Sequence, residues 1–501
     1  MAVQLKSGFL LSLFLVWSIL GCQRYLPPPE ASPYQNTTLR VACPPSLAEL
    51  IAIQSRPWQH RQQARVETVA FDPSQEPPQA DVWLLQPADL TRYAARQQLR
   101  PIPSSLQVRG NAYVWEGLLP GYRQQLLLWD RQAVALPLVG ESAICLYRSD
   151  LFNADGMGQK FEQWQKQRGL TPVQPLQPPT TWEEFATLAE FFRDQHPSGK
   201  AGPSLPALPA DDGELDTLFY QVAASYVRRG IPTDEPSGAD QLDELFSFHC
   251  DQKSGQPRLA SPGFVAALQL LARLQQCRLP GRETRPERAL LTGQAVLAIA
   301  PVRVLLDLQN NPNTRDRIGL TAVPGTHRYF SYTGQPRSVA GGVNRVPYLG
   351  GMGWLAAVPV TSTQAEAAFD LLAELTGAIR SAQIALEPRW SGGPTRSEQL
   401  LRERWDAFGL DAARTRALRD ILERAQLQWH NIKNPVYCLR VPDQAARRAA
   451  VVQALESTLL NRADPSQALA EAAQRWQQLD AARGVDQAAA DYRISIGLLG
   501  K

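Results

Sequence analysis

The sequence predicts an α/β fold. Short apolar runs of strand length alternate with helical patterns from Leu39 onward, and apolar residues recur at three- and four-residue spacing in the longer segments. Turn formers are plentiful, with 40 Pro and 33 Gly in 501 residues, which fits many short connections. Hydrophobic residues make up 44% of the chain, enough to build a core and too many for wholesale disorder.

Residues 39–43 read as a first strand, followed by a helix over 46–55. Second and third strands are expected over 65–71 and 80–85, then a helix over 88–98 and two strands over 133–137 and 143–147. Thr181 is placed to cap a helix, with Glu184 at the capping-box position three residues on. Further helices are expected over 215–229 and 262–278, whereas 198–213, rich in Pro, Gly and Ala, reads as a surface loop. Strand character returns over 295–300 and 318–323, and a Gly-rich approach from Tyr348 leads into a strand ending at Val358. A helix over 364–376 and helical stretches over 397–408, 411–426, 442–461 and 465–482 complete the pattern, before an Ala- and Gln-rich tail over 483–501.

Lys6 is the only charge before an apolar run over 9–20, too short to span a bilayer and patterned as a secretory signal. It ends Ile19-Leu20-Gly21-Cys22, which resembles the bacterial lipobox. That resemblance implies removal of residues 1–21, lipidation of Cys22, and a protein anchored outside the cytoplasmic membrane. Residues 22–38, with Pro27-Pro28-Pro29, read as a stiff tether. Of the five other cysteines, Cys43 and Cys145 read as buried thiols, and Cys250 and Cys277 are close enough in sequence to pair or stay free.

Basic and acidic residues number 51 and 48, with the basic ones scattered, so nucleic acid is not an expected partner. The five histidines are spread out, and neither a zinc-binding H-E-x-x-H, a G-x-S-x-G nor a Walker loop occurs. No catalysis, cofactor or metal is expected.

Several segments, in order, resemble the family 1 extracellular solute-binding proteins, the group that includes maltose-binding protein. They are Ala80-Asp81-Val82; Ala135 to Glu141 followed by Leu146 to Phe152; Pro178-Pro179-Thr180-Thr181-Trp182-Glu183-Glu184-Phe185; Leu291 to Ile299; Gly319 to Gly325; Gly350-Gly351-Met352-Gly353-Trp354; and Ala454 to Trp476. The resemblance implies a periplasmic-binding-protein-like (type II) fold, two lobes with a ligand cleft between them. Lobe 1 would comprise 39–142 completed by 355–397, and lobe 2 would comprise 143–354 completed by 398–482. It further implies a monomer that captures a small solute, a carbohydrate, and delivers it to the permease subunits of an ABC importer. The alternative is a lipoprotein of the same fold that senses a ligand or serves the envelope without feeding transport.

By that resemblance Glu141, at the first hinge crossing, is the polar residue expected to meet a sugar; otherwise it is a solvated turn carboxylate. Trp354 at the second crossing and Trp390 are candidate stacking rings, and Tyr437 sits near a position where the family carries a cleft aromatic. Trp83 lies in the third strand between Val82 and Leu84, where a core role competes with a cleft role. Arg396 reads as one half of a structural ion pair.

Overall fold

The computed structural model describes residues 32–195, 202–204, 214–232, 235, 242–278, 286–302, 304, 316–339, 342–387, 393–400, 412–413, 415–418, 420 and 435–498. The leader with Cys22, and Trp390, lie outside the described residues.

The chain opens with β1 (Thr38–Cys43), α1 (Pro45–Gln54), β2 (Arg65–Ala70), β3 (Val82–Leu85), α2 (Leu90–Ala94) and β4 (Leu136–Val139). It then crosses to β5 (Ala143–Arg148), α3 (Trp182–Gln195), β6 (Gly202–Ser204), α4 (Glu214–Val227), α5 (Pro262–Gln276), β7 (Ala295–Pro301) and β8 (Ile318–Thr321). From β9 (Tyr348–Leu349) it returns to β10 (Trp354–Ala357), α6 (Ala365–Thr376) and α7 (Ala378–Leu386). The C-terminal part holds β11 (Val436–Tyr437), α8 (Gln444–Asn461), α9 (Pro465–Arg483) and α10 (Val485–Ser495).

Two sheets organise these elements. The first has the order β2-β1-β3-β10-β4, with β1 parallel to β2 and β3, and the returning β10 antiparallel to both β3 and β4. Every residue of β3 and β4 is buried, so both read as continuous apolar runs, as strands covered on two faces do. The second sheet has the order β8-β5-β7-β6. A short parallel pair, β9 with β11, links the return crossing to the C-terminal part. One apolar cluster runs from Leu39 and Val41 of β1 to Phe219 of α4, Phe264 of α5 and Trp476 of α9, so the two sheet layers share a core in this conformation.

Local sequence explains the sharpest boundary. At the start of α3 the Glu184 amide donates to Thr181 Oγ1 (3.2 Å), and Glu184 Oε2 accepts from the amides of Thr180 (2.7 Å) and Thr181 (3.2 Å). This is the anticipated capping box. Glu184→Ala orphans two amides, and a loss of about 1–2 kcal/mol is expected in chemical denaturation.

The structure departs from the sequence expectations at several places. Part of the expected surface loop, Gly202–Ser204, is a strand parallel to β7. The helix expected over 88–98 is confined to Leu90–Ala94. A second helix, α7, follows α6 directly, because Gly377 adopts extended backbone and starts it afresh. Of the helix expected over 397–408 only Ser397–Leu400 is described, as a 3-10 turn, and most of the helix expected over 411–426 lies outside the described residues. The Ala- and Gln-rich tail, for which no element was expected, holds α10 over most of its length, with Tyr492 buried. Cys43, Cys145, Cys250, Cys277 and Cys438 are all free, buried thiols, so Cys250 and Cys277 do not pair. Among the described residues, no helix is long and apolar enough to cross a membrane, and no group of three side chains could hold a metal.

Candidate functional site

The two crossings between the sheets lie against each other. β10 begins with Trp354 paired to Val139 at the end of β4, with a register shift between Trp354 and Leu355. Gly353, at φ +87°, lets the return crossing come this close, since a Cβ there would stand 2.8 Å from the Val139 carbonyl oxygen. Gly350, at φ +80°, similarly leaves room for Leu126 and the Cys438 thiol.

Glu141 joins the two crossings. Its Oε2 accepts from the Gly350 amide (2.8 Å), and the amides of Gly351 and Met352 also act on the carboxyl. Its own amide donates to the Tyr122 hydroxyl (3.2 Å). Burial pushes the Glu141 carboxyl up to about 7, against the opposing pull of those three amides. Oε1 is buried without a hydrogen-bond partner among the described residues. In this conformation Glu141 is a clasp across the two crossings, neither a solvated turn carboxylate nor a group standing free in a cleft.

Beside the clasp, a crevice opens between the layers. Gln86 and Ala88, just after β3, form one wall, and Asp216, Thr217 and Tyr220 on the first turns of α4 form another. Tyr348 and Gly351 come from the return crossing and Cys438 from just after β11, while α8 supplies Gln444 and Arg448 and α9 supplies Trp476. The cavity volume is about 30 Å³, room for one or two waters and not for a sugar ring. Tyr220 and Tyr348 stack with centroids 5.4 Å apart. Behind them His249 meets Tyr220 edge-on at 4.8 Å and shares a hydrogen bond with the Tyr437 carbonyl (3.0 Å). Burial holds that imidazole down to about 3, so it is neutral.

Charge in the crevice is uneven. Arg448 Nε donates to Asp216 Oδ2 (3.1 Å). Burial raises Asp216, and pushes Asp89, next in sequence after Ala88, up to about 6, in both cases against the field of Arg448. Burial also pushes the Cys438 thiol up to about 12.

The structure brings some of the sequence candidates here and sends others away. Glu141 and Trp354 meet at the crossings, with Trp354 only part-buried. Tyr437 sits in β11 beside them, but its neighbours Cys438 and Leu439 line the crevice instead. Trp83 belongs to the core: it is 8% exposed, donates to the Pro78 carbonyl (3.2 Å) and packs edge-on against Tyr93. Arg396, fully buried, donates to the carbonyls of Tyr113 (2.9 Å) and Val114 (2.6 Å), with Glu398 at 3.6 Å. Sequence reasoning missed Asp216, Tyr220, Gln444 and Arg448. The available signal was two polar-containing pairs at four-residue spacing, Asp216/Tyr220 and Gln444/Arg448, each on one face of an anticipated helix.

Comparison with solved structures places this fold among two-lobed binding proteins. Maltose-bound MalE3 of T. maritima has a TM-score of 0.60 at 16% identity, over 88% of this chain and 100% of that one. Lmo0181 of Listeria monocytogenes, in complex with cycloalternan, gives 0.61 at 16% identity over 90% and 100%. An ABC transporter solute-binding protein of Agrobacterium vitis with bound D-mannitol gives 0.60 at 18% identity over 90% and 99%. No curated protein matches the chain by sequence. Residues 64–402 match the profile of the family described as bacterial extracellular solute-binding protein. That span is well over half the chain, it includes both crossings and the first wall of the crevice, and the chain belongs to this family of extracellular solute-binding proteins.

Proposed function

We propose that the protein captures a small hydroxylated solute, a carbohydrate or polyol, by closure of its lobes and delivers it to the permease subunits of an ABC importer, held at the membrane through lipidated Cys22. The lobes divide at the crossings after Ser142 and before Leu355. The observation that carries the reading is the crevice at those crossings, where stacked tyrosines stand beside carboxylate and amide side chains. Ring faces pack on sugar C–H surfaces, and carboxylates accept from hydroxyls. Neighbours of the same fold hold maltose, cycloalternan and D-mannitol. Trp354 is the sequence-derived aromatic best placed to reach a solute once the lobes part, and Trp354→Ala is expected to weaken binding without unfolding the protein.

Thermal unfolding against a panel of sugars, polyols, amino acids and peptides tests this. A bound solute at 100 times its dissociation constant adds about 2.7 kcal/mol, an easily measured rise in Tm. The narrowness of the crevice favours a second reading, a lipoprotein of the same fold that senses a ligand or serves the envelope without transport. An unchanged Tm and radius of gyration across the whole panel supports that reading over capture.

A further inference from the structure

Among the described residues that line the crevice, Asp216 on α4 and Arg448 on α8 are the only charged ones, and they are joined in one ion pair through Arg448 Nε and Asp216 Oδ2 (3.1 Å). Burial pushes the Cys438 thiol up to about 12 and the Tyr220 and Tyr348 phenols well above their ordinary value, so all three are neutral at neutral pH. The ion pair is not fully used. Asp216 is 8% exposed, and its Oδ1 is buried with no hydrogen-bond partner among the described residues. The Arg448 side chain is 33% exposed, and its Nη groups donate to none of the described residues. A spare acceptor and spare donors therefore belong to one pair whose charges already cancel.

Such a pair selects against net charge on a solute. An ammonium would compete with Arg448 for Asp216, and a carboxylate or phosphate would compete with Asp216 for Arg448. Either leaves one partner without its counter-charge in a largely desolvated place. A neutral diol disturbs nothing. One hydroxyl can donate to the carboxylate while its neighbour accepts from the guanidinium, both as charge-assisted hydrogen bonds made with the ion pair whole. Gln86, from the wall after β3, and Gln444, one turn before Arg448 on α8, add only neutral amides. Because α4 and α8 pack on each other, the pair stays assembled when the lobes part to admit a solute. We propose that the solute is uncharged and that the Asp216–Arg448 pair reads two adjacent hydroxyls on it, Asp216 Oδ1 accepting from one and an Arg448 Nη group donating to the other. This rests on the carbohydrate reading and narrows it to neutral sugars and polyols.

Isothermal titration of the purified full-length protein at neutral pH tests it. The probes are D-glucose, D-galactose and cellobiose, each beside its amino-sugar and its uronic-acid form. In the set that binds best, the neutral member is expected to bind about tenfold or more tighter than its charged counterparts. The two variants should then shift the charge preference in opposite directions. Asp216→Asn leaves Arg448 without a counter-charge, so the uronate should gain about tenfold on the neutral sugar. Arg448→Gln leaves the Asp216 carboxylate alone, so the amino sugar should gain by a similar factor. Arg448 is the more exposed partner, and its variant keeps the test readable if Asp216→Asn misfolds. A charged member that binds the wild type as tightly as its neutral sugar overturns the uncharged assignment and leaves the carbohydrate reading standing. A neutral preference that neither variant changes overturns the role of the pair. Binding by none of the probes overturns the assignment, and the panel of solutes above then decides the carbohydrate reading separately.

Discussion

Arg440→Ala is expected to lower stability by about 3–5 kcal/mol, measured as a fall in the urea midpoint. The residue is 1% exposed, and its guanidinium is held by carbonyls, with no carboxylate paired to it among the described residues. Nη1 donates to the carbonyls of Gln125 (2.7 Å) and Leu128 (3.1 Å), and Nη2 to that of Ser495 (2.5 Å). Gln125 Nε2 donates to the same Ser495 carbonyl (2.6 Å). One side chain therefore ties a segment preceding β4 to the end of α10. At its other face α10 is fixed by Tyr492, whose hydroxyl donates to the Phe246 carbonyl (3.2 Å) and accepts from the Phe248 amide (3.3 Å). Alanine would take the guanidinium away from three carbonyls, of which that of Ser495 keeps Gln125 Nε2, and leave a void where the stem packed. Arg440→Lys keeps the charge but cannot present a planar fork to three acceptors, so it should recover only a minor part of the loss. A loss under about 1 kcal/mol for the alanine variant would mean that water replaces the guanidinium at no cost, and that the node does not hold α10 in place.

How much of this was readable beforehand depended on the range of the interaction. The α3 capping box is four residues of chain, and Thr181 and Glu184 announce it by type and spacing alone. Buried strands such as Val82–Leu85 announce themselves by apolar runs. Gly202–Ser204 does not, since its Gly and Pro argue for a loop, and only its pairing with β7 makes it a strand. The helix α10 was hidden by its Ala and Gln content, which gives a weak apolar stripe, and its order comes from Tyr492 and the Arg440 node. The site was half legible for the same reason. The glycines of 350–353 mark the return crossing and Glu141 is readable at the first, but its partner amide lies 209 residues away. Asp216 and Arg448 are 232 residues apart, and no local pattern pairs them.

Glu141→Gln is expected to flatten the pH dependence of stability between about pH 4.5 and pH 7, the ordinary value of the carboxyl and the value to which burial pushes it. A carboxyl whose pKa is higher in the folded chain than in the unfolded one makes folding take up a proton. Its contribution is fully present below the unfolded value and is lost as pH rises through the folded one. At pH 8 the wild type must hold a desolvated charge at the hinge, stabilised by the Gly350 amide but with Oε1 unpartnered. The neutral amide escapes that cost, although its own NH2 group finds no acceptor there. The fixed offset from that NH2 is the same at every pH, so the informative quantity is the change in the difference between the two proteins. Across the window it should move by at most about 3 kcal/mol in favour of the glutamine variant. Asp89, pushed up to about 6, bends both profiles in the same direction and cancels in the comparison. Urea denaturation at pH 4.5, 6 and 8 would show it. Parallel profiles would mean that the crossing loop opens enough to hydrate the carboxylate, and that Glu141 is free to turn toward a solute rather than clasp the hinge.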